Sequence, residues 1–68
     1  MNIQLYREFR IWRDLVPWLI EHCGPVLHSR PIMQWHARNW GLSYVNPHCW
    51  QVRIDDDRLA MLFLLRWA

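Results

Sequence analysis

Trp50-Gln51-Val52-Arg53-Ile54-Asp55-Asp56-Asp57-Arg58-Leu59-Ala60-Met61-Leu62-Phe63-Leu64-Leu65-Arg66-Trp67 is the stretch on which the fold turns. Its first five residues alternate, with Trp50, Val52 and Ile54 apolar and Gln51 and Arg53 polar, which is the two-residue period of a half-buried strand. The acidic run then reads as a turn. Folding the remainder back with Asp56 and Asp57 as the loop sets Ile54 opposite Leu59, Val52 opposite Met61 and Trp50 opposite Phe63, apolar against apolar on one face. The expectation is a β-hairpin over 50–67, with Leu59 to Trp67 as its last strand. That strand is greasy on both sides, since Leu59, Met61, Phe63, Leu65 and Trp67 point one way and Ala60, Leu62 and Leu64 the other. Leaving Leu62 and Leu64 in water forgoes roughly 1.5–3 kcal/mol each. They require cover, either from the rest of the chain or from a partner.

Upstream, Leu42 to Val45 reads as a short strand, and Asn46-Pro47 signals the turn that leads into the strand at 50–54. Between 30 and 40 the spacing predicts a second short helix, with Ser29 as its N-cap, Pro31 in its first turn and Gly41 just beyond Trp40. The competing pattern is a strand with Met33, Trp35 and Ala37 on one face. From Asn2 to Cys23 the apolar residues Leu5, Phe9, Trp12, Val16, Leu19 and Cys23 step by four and three, the spacing of a helix with Arg7, Arg10, Asp14 and Glu21 opposite. Pro17 removes one of its backbone bonds, so a kink near Arg13 to Val16, or two short helices meeting there, is expected. Gly24 and Pro25 end it. The fold class read from the sequence is α+β: an N-terminal Pro-kinked helix, a second short helix, then a three-stranded antiparallel β-meander.

A length of 68 residues sets the expectation of one small domain, 1–68. A chain this short buries only about 60% of the surface its unfolded form exposes, so its margin of stability is thin. Its 53% hydrophobic content excludes intrinsic disorder. Charged residues interrupt every apolar run near the N-terminus, and the uncharged stretch after Asp14 is far shorter than the roughly 18 residues of a membrane span. These features set the expectation of a soluble, cytoplasmic chain whose Cys23 and Cys49 are held as thiols in a reducing compartment.

No pattern points to catalysis. His28 and His36 are isolated in sequence, no nucleophile stands in a recognisable context, and no glycine-rich phosphate loop is present. His22-Cys23 and His48-Cys49 supply the residue count of a zinc site, but adjacent residues diverge, whereas zinc ligands in short motifs stand two to five apart. Asp55 to Asp57 offer too few oxygens for a hard cation. No cofactor, metal or small-molecule substrate is therefore expected.

What remains is surplus apolar surface. Six Trp are spread along the chain, together with eight Arg and no Lys, for a net charge of +2. Trp and Arg are the residues that most often anchor protein interfaces, because they offer large contact area and forked or stacked bonding. The function expected is a non-enzymatic protein-binding module of the inhibitor or adaptor type. Its partner is a second copy or another protein, and it acts through the C-terminal hairpin with Arg38, Trp40, Arg53, Leu62, Leu64, Arg66 and Trp67 as contact residues. The alternative is a nucleic-acid-binding module in which Arg38, Trp40, Tyr44, Arg53 and Arg66 form a basic and aromatic stacking surface. The net charge is too small to favour it, and Glu21 and the acidic run oppose it.

Overall fold

A computed structural model describes residues 1–30 and 33–67. Along the chain run strand β1 (Asn2–Leu5), a single 3-10 turn (Phe9–Ile11), helix α1 (Trp12–Cys23), strands β2 (Val26–Arg30), β3 (Gln34–Ala37), β4 (Trp40–Asn46) and β5 (Cys49–Ile54), and helix α2 (Asp57–Trp67). The five strands form one antiparallel sheet in the order β1-β5-β4-β3-β2. The α+β class stands. The three-stranded meander does not: β2 to β5 form a four-stranded meander, and β1 is added beside β5.

The C-terminal hairpin is overturned first. β5 keeps the expected alternation, with Trp50, Val52 and Ile54 buried and Gln51 and Arg53 exposed, but the chain after Asp56 is helical. Asp56 is the reason. Its carboxylate accepts the backbone N–H groups of Arg58 at 2.8 Å and Leu59 at 3.2 Å, and its carbonyl accepts that of Ala60 at 2.9 Å. This is N-cap chemistry, which satisfies donors that an open helix end leaves bare. The residues that follow, Arg58 to Arg66, include no β-branched side chain and are rich in Leu, Met, Ala and Arg, all strong helix formers. Ala60, Phe63 and Trp67 recur at three and four residues and form the buried face. A helix therefore shelters these three, where a strand would have divided the apolar residues between two faces.

The N-terminal helix is also shorter than expected. Ile3 and Leu5 are buried while Asn2 and Gln4 are exposed, so the first residues follow the two-residue period of a strand. Ile3 lies opposite Val52 and Leu5 opposite Trp50, and the N-terminal ammonium donates to the Ile54 carbonyl at 2.7 Å. The step of four from Leu5 to Phe9 coincides with helical spacing without being helical. From Trp12 to Cys23 the chain is helical as expected, with Leu15, Leu19 and Cys23 buried and Trp12 and Val16, of the expected stripe, half-buried. Pro17 stands inside α1, which runs on without a break to Cys23. Both Pro17 and Arg13, whose carbonyl loses its donor, are exposed, so the lost bond falls on the solvent side of the helix. Gly24 ends the helix at φ +123°, a backbone region that favours glycine, and its N–H bonds the Ile20 carbonyl at 3.2 Å.

No helix forms over the described part of 30–40. Ser29 is a strand residue paired with Trp35, and Gly41 is a strand residue paired with His36. The strand alternative is the observed one over Gln34–Ala37, with Trp35 half-buried and Ala37 buried on the inner side. Pro31, the expected first-turn residue, lies outside the described residues. The Asn46-Pro47 turn is present and joins β4 to β5, with the Asn46 side-chain carbonyl accepting the His48 N–H at 2.9 Å.

Both helices cover the same face of the sheet. One cluster joins Leu15 and Leu19 of α1 and Ala60, Phe63 and Trp67 of α2 to Ile3, Leu5, Trp40, Leu42, Trp50, Val52 and Ile54 of the sheet. Trp40 and Trp50 are fully buried, Trp67 is buried, and Trp12, Trp18 and Trp35 are half-buried. The Trp residues are thus mostly filling for a small two-layer core, where one indole closes a gap that would take two smaller side chains. Among the described residues nothing forms a third layer on the opposite face of the sheet. No helix among the described residues is long and apolar enough to cross a membrane.

Candidate protein-docking surface

α2 is apolar on its outer side as well as its inner one. Met61 is 54% exposed, Leu62 48% and Leu65 82%. At 3.6 residues per turn, positions 58, 61, 62 and 65 share one face, opposite the face that carries Ala60, Phe63 and Trp67. Arg58 opens this stripe at the start of the helix. Arg66 borders it one turn beyond Leu62, with its guanidinium stacked 4.1 Å from the Trp67 ring centroid. The result is a short apolar ridge with arginine at both ends.

The seven contact residues expected from the sequence do not form one surface. Leu62 and Arg66 share α2 and are exposed, whereas Leu64 is half-buried against the core. Trp67 belongs to the core. Trp40 is fully buried and donates its indole N–H to the Gly24 carbonyl at 2.8 Å, so its ring is closed to any partner. Arg38 is exposed in the turn between β3 and β4. Arg53 lies on the bare face of the sheet and serves the fold, donating to the carbonyls of Ala37 at 3.2 Å and Trp40 at 3.0 Å and approaching the Asp55 carboxylate at 3.4 Å. It pins the β3–β4 turn to the end of β5.

Met61, Leu65 and Arg58 were not among the expected contacts. Their signal is in the sequence, because 58, 61, 62 and 65 are spaced as one helical face. Reading 59–67 with a period of two conceals it.

A second apolar surface lies at the end of the sheet near the β4–β5 turn. Phe9 and Tyr44 meet edge to face at 5.8 Å, both rings contact Trp50, and Trp35 stacks on Trp12 at 5.5 Å. These rings largely cover one another, and Phe9 and Tyr44 are 39% and 37% exposed. Two shallow clefts flank Trp67. One, of about 300 Å³, separates α1 from α2 and mixes Arg13 and Arg66 with Asp14 and Glu21. The other, of about 360 Å³, lies between the end of β1 and Trp67. Neither has the enclosed apolar wall with convergent polar groups that marks a small-molecule site.

Of the four residues weighed for zinc, His48 is exposed in the β4–β5 turn, where its backbone N–H donates to the Asn46 side chain. Cys23 and Cys49 are buried free thiols. The His22 ring stacks on Trp18 at 4.1 Å, and its Nδ1 lies 2.9 Å from the Trp18 carbonyl. Among the described residues no three His, Cys, Asp or Glu side chains converge as metal ligands. Burial pushes the Cys23 thiol above its ordinary pKa of 9.0, and the Asp56 carboxylate adds to the shift. Comparison with protein-family models, curated proteins and solved structures found no match to the chain.

Proposed function

We propose that the protein is a small non-enzymatic protein-binding module, of the inhibitor or adaptor type, that docks through the outer face of α2 and whose first occupant is a second copy of itself. The observation that carries this reading is Leu65, a large apolar side chain 82% exposed at the C-terminal end of a helical stripe with Met61 and Leu62. Scattered exposed apolar residues are ordinary on a protein surface, whereas a contiguous ridge of them is what interfaces use.

The stripe is close to self-complementary. In an antiparallel pair of α2 helices related by a two-fold axis midway between positions 61 and 62, Met61 faces the partner's Leu62, and Leu65 faces the methylene stem of the partner's Arg58. The Arg58 guanidinium then reaches the last turn of the opposing helix, where exposed carbonyls and the helix dipole favour a cation. One pair of 11-residue helices buries less than the roughly 1,200 Å² of a standard interface. The dimer is accordingly expected to be a weak one. A reducing cytoplasmic setting accords with two buried thiols.

Sedimentation across micromolar to millimolar concentration tests this. A monomer–dimer equilibrium in the native chain, abolished in Leu65→Asp and Leu62→Asp variants of unchanged circular dichroism, is the expected result. A monomer at every concentration overturns the assignment of the second copy. The nucleic-acid alternative gains nothing from the geometry: Trp40 is buried, Arg53 is engaged with backbone, Arg66 is on α2 and Tyr44 packs on Trp50.

A further inference from the structure

The bare face of the sheet carries transverse rows set by strand register. One row runs Asn2, Arg53, Gly41, His36, His28 from β1 to β2. His28 and His36 are direct cross-strand partners on the β2–β3 hairpin, both exposed, with ring centroids 5.7 Å apart and planes inclined by 33°. Among the described residues neither ring forms a hydrogen bond, in contrast to His22.

That centroid spacing falls within the range that two imidazoles bound to one metal ion adopt. With a metal–nitrogen bond of about 2.1 Å and an imidazole centroid roughly 1.1 Å behind its nitrogen, two rings bound to one ion have centroids about 5–6 Å apart at the angles of tetrahedral to trigonal coordination. Among the described residues the surroundings leave room for the other ligands: β2 is the edge strand of the sheet, and no strand pairs with it beyond His28. On the other side the row continues to Gly41, which has no side chain. The nearest cation along the row, Arg53, is turned to the Ala37 and Trp40 carbonyls and to Asp55.

We propose that His28 and His36 form a bidentate site for a borderline first-row divalent ion, Cu(II), Ni(II) or Zn(II), with the remaining positions open to water or to a donor from another molecule. Two neutral imidazoles select this class over Mg(II) or Ca(II), which demand oxygen ligands, and copper is held most tightly of the three. The site lies on the face away from both helices, so it stands or falls independently of docking through α2.

Ni(II) is the probe for the test, because it does not oxidise the two thiols. Calorimetric titration is expected to show one ion per chain, and the thermal midpoint is expected to rise by roughly 5–10 °C for each tenfold excess of free Ni(II) over the dissociation constant. Both rings are solvent-exposed, so His28→Ala and His36→Ala keep the fold. Losing even an outer-shell partner of a metal ligand costs 10–100-fold, so each substitution is expected to weaken binding by at least about tenfold. His22→Ala and His48→Ala are expected to leave it unchanged. Absence of binding to the native chain, or binding that survives the His28→Ala/His36→Ala double substitution, overturns the site.

Discussion

Among the described residues, the indole N–H groups of Trp12, Trp50 and Trp67 are buried with no partner, while that of Trp40 is bonded to the Gly24 carbonyl. Trp40 and Trp50 are equally buried, so replacing each by Phe removes the same volume, but only Trp40→Phe leaves a carbonyl unpaired and only Trp50→Phe removes an unsatisfied donor. Urea denaturation is expected to show Trp40→Phe as the more damaging by about 1–3 kcal/mol. Cys23 gives a second test at this scale. The folded chain holds the thiol proton more tightly than the unfolded one, so this contribution to stability is whole below pH 9.0 and is lost as the pH rises through the elevated value. Cys23→Ala is expected to flatten the alkaline decline in stability. Asp56→Asn, which keeps the cap and removes the charge, is expected to speed alkylation of Cys23.

Asp56 also shows how far single residues declare elements. Asx and glycine signals were legible wherever one mechanism served them: Gly24 ends α1, and Asn46-Pro47 turns β4 into β5. The run Asp55 to Asp57 serves two, since Asp is equally at home in a hairpin loop and at a helix N-cap. What separates them is the downstream composition, and Arg58 to Arg66 without a β-branched residue favours the helix. Removal of the cap by Asp56→Ala is expected to cost about 1 kcal/mol, measured by thermal unfolding. The two faces of α2 are expected to part company under substitution. Phe63→Ala opens a cavity in the core and costs roughly 3–5 kcal/mol. Leu65→Ala on the outer face leaves the unfolding midpoint nearly unchanged. A strand over 59–67 predicts similar losses at both positions, because period two puts 63 and 65 on one face. β1 was hidden for a related reason: four residues are too few to show a period, and Ile3 and Leu5 acquire theirs only by pairing with Val52 and Trp50.

At the scale of the molecule, two helices and the inner face of five strands enclose one core, and what they leave outside differs by side. The outer face of α2 is apolar, while the bare face of the sheet is polar from Asn2 and Gln4 through Gln51, Arg53 and Ser43 to Gln34 and His36. The sequence reading located surplus apolar surface at 59–67, and that much of the candidate site was legible. The geometry of the surplus was not, because which of Leu62, Leu64 and Leu65 is exposed depends on whether the period is two or 3.6, and tertiary pairing decides that. Trp content is ambiguous in the same way: a large ring suits an interface and a thin two-layer core alike, and here Trp40, Trp50 and Trp67 are buried in the core while Trp12, Trp18 and Trp35 are half-buried against it. The most direct measurement of docking through α2 is the amide NMR spectrum of the native chain over a dilution series. Concentration-dependent shifts confined to Arg58, Met61, Leu62, Leu65 and Arg66, and abolished by Leu65→Asp, are predicted. Shifts that spare α2, or a spectrum that does not change with concentration, contradict the account.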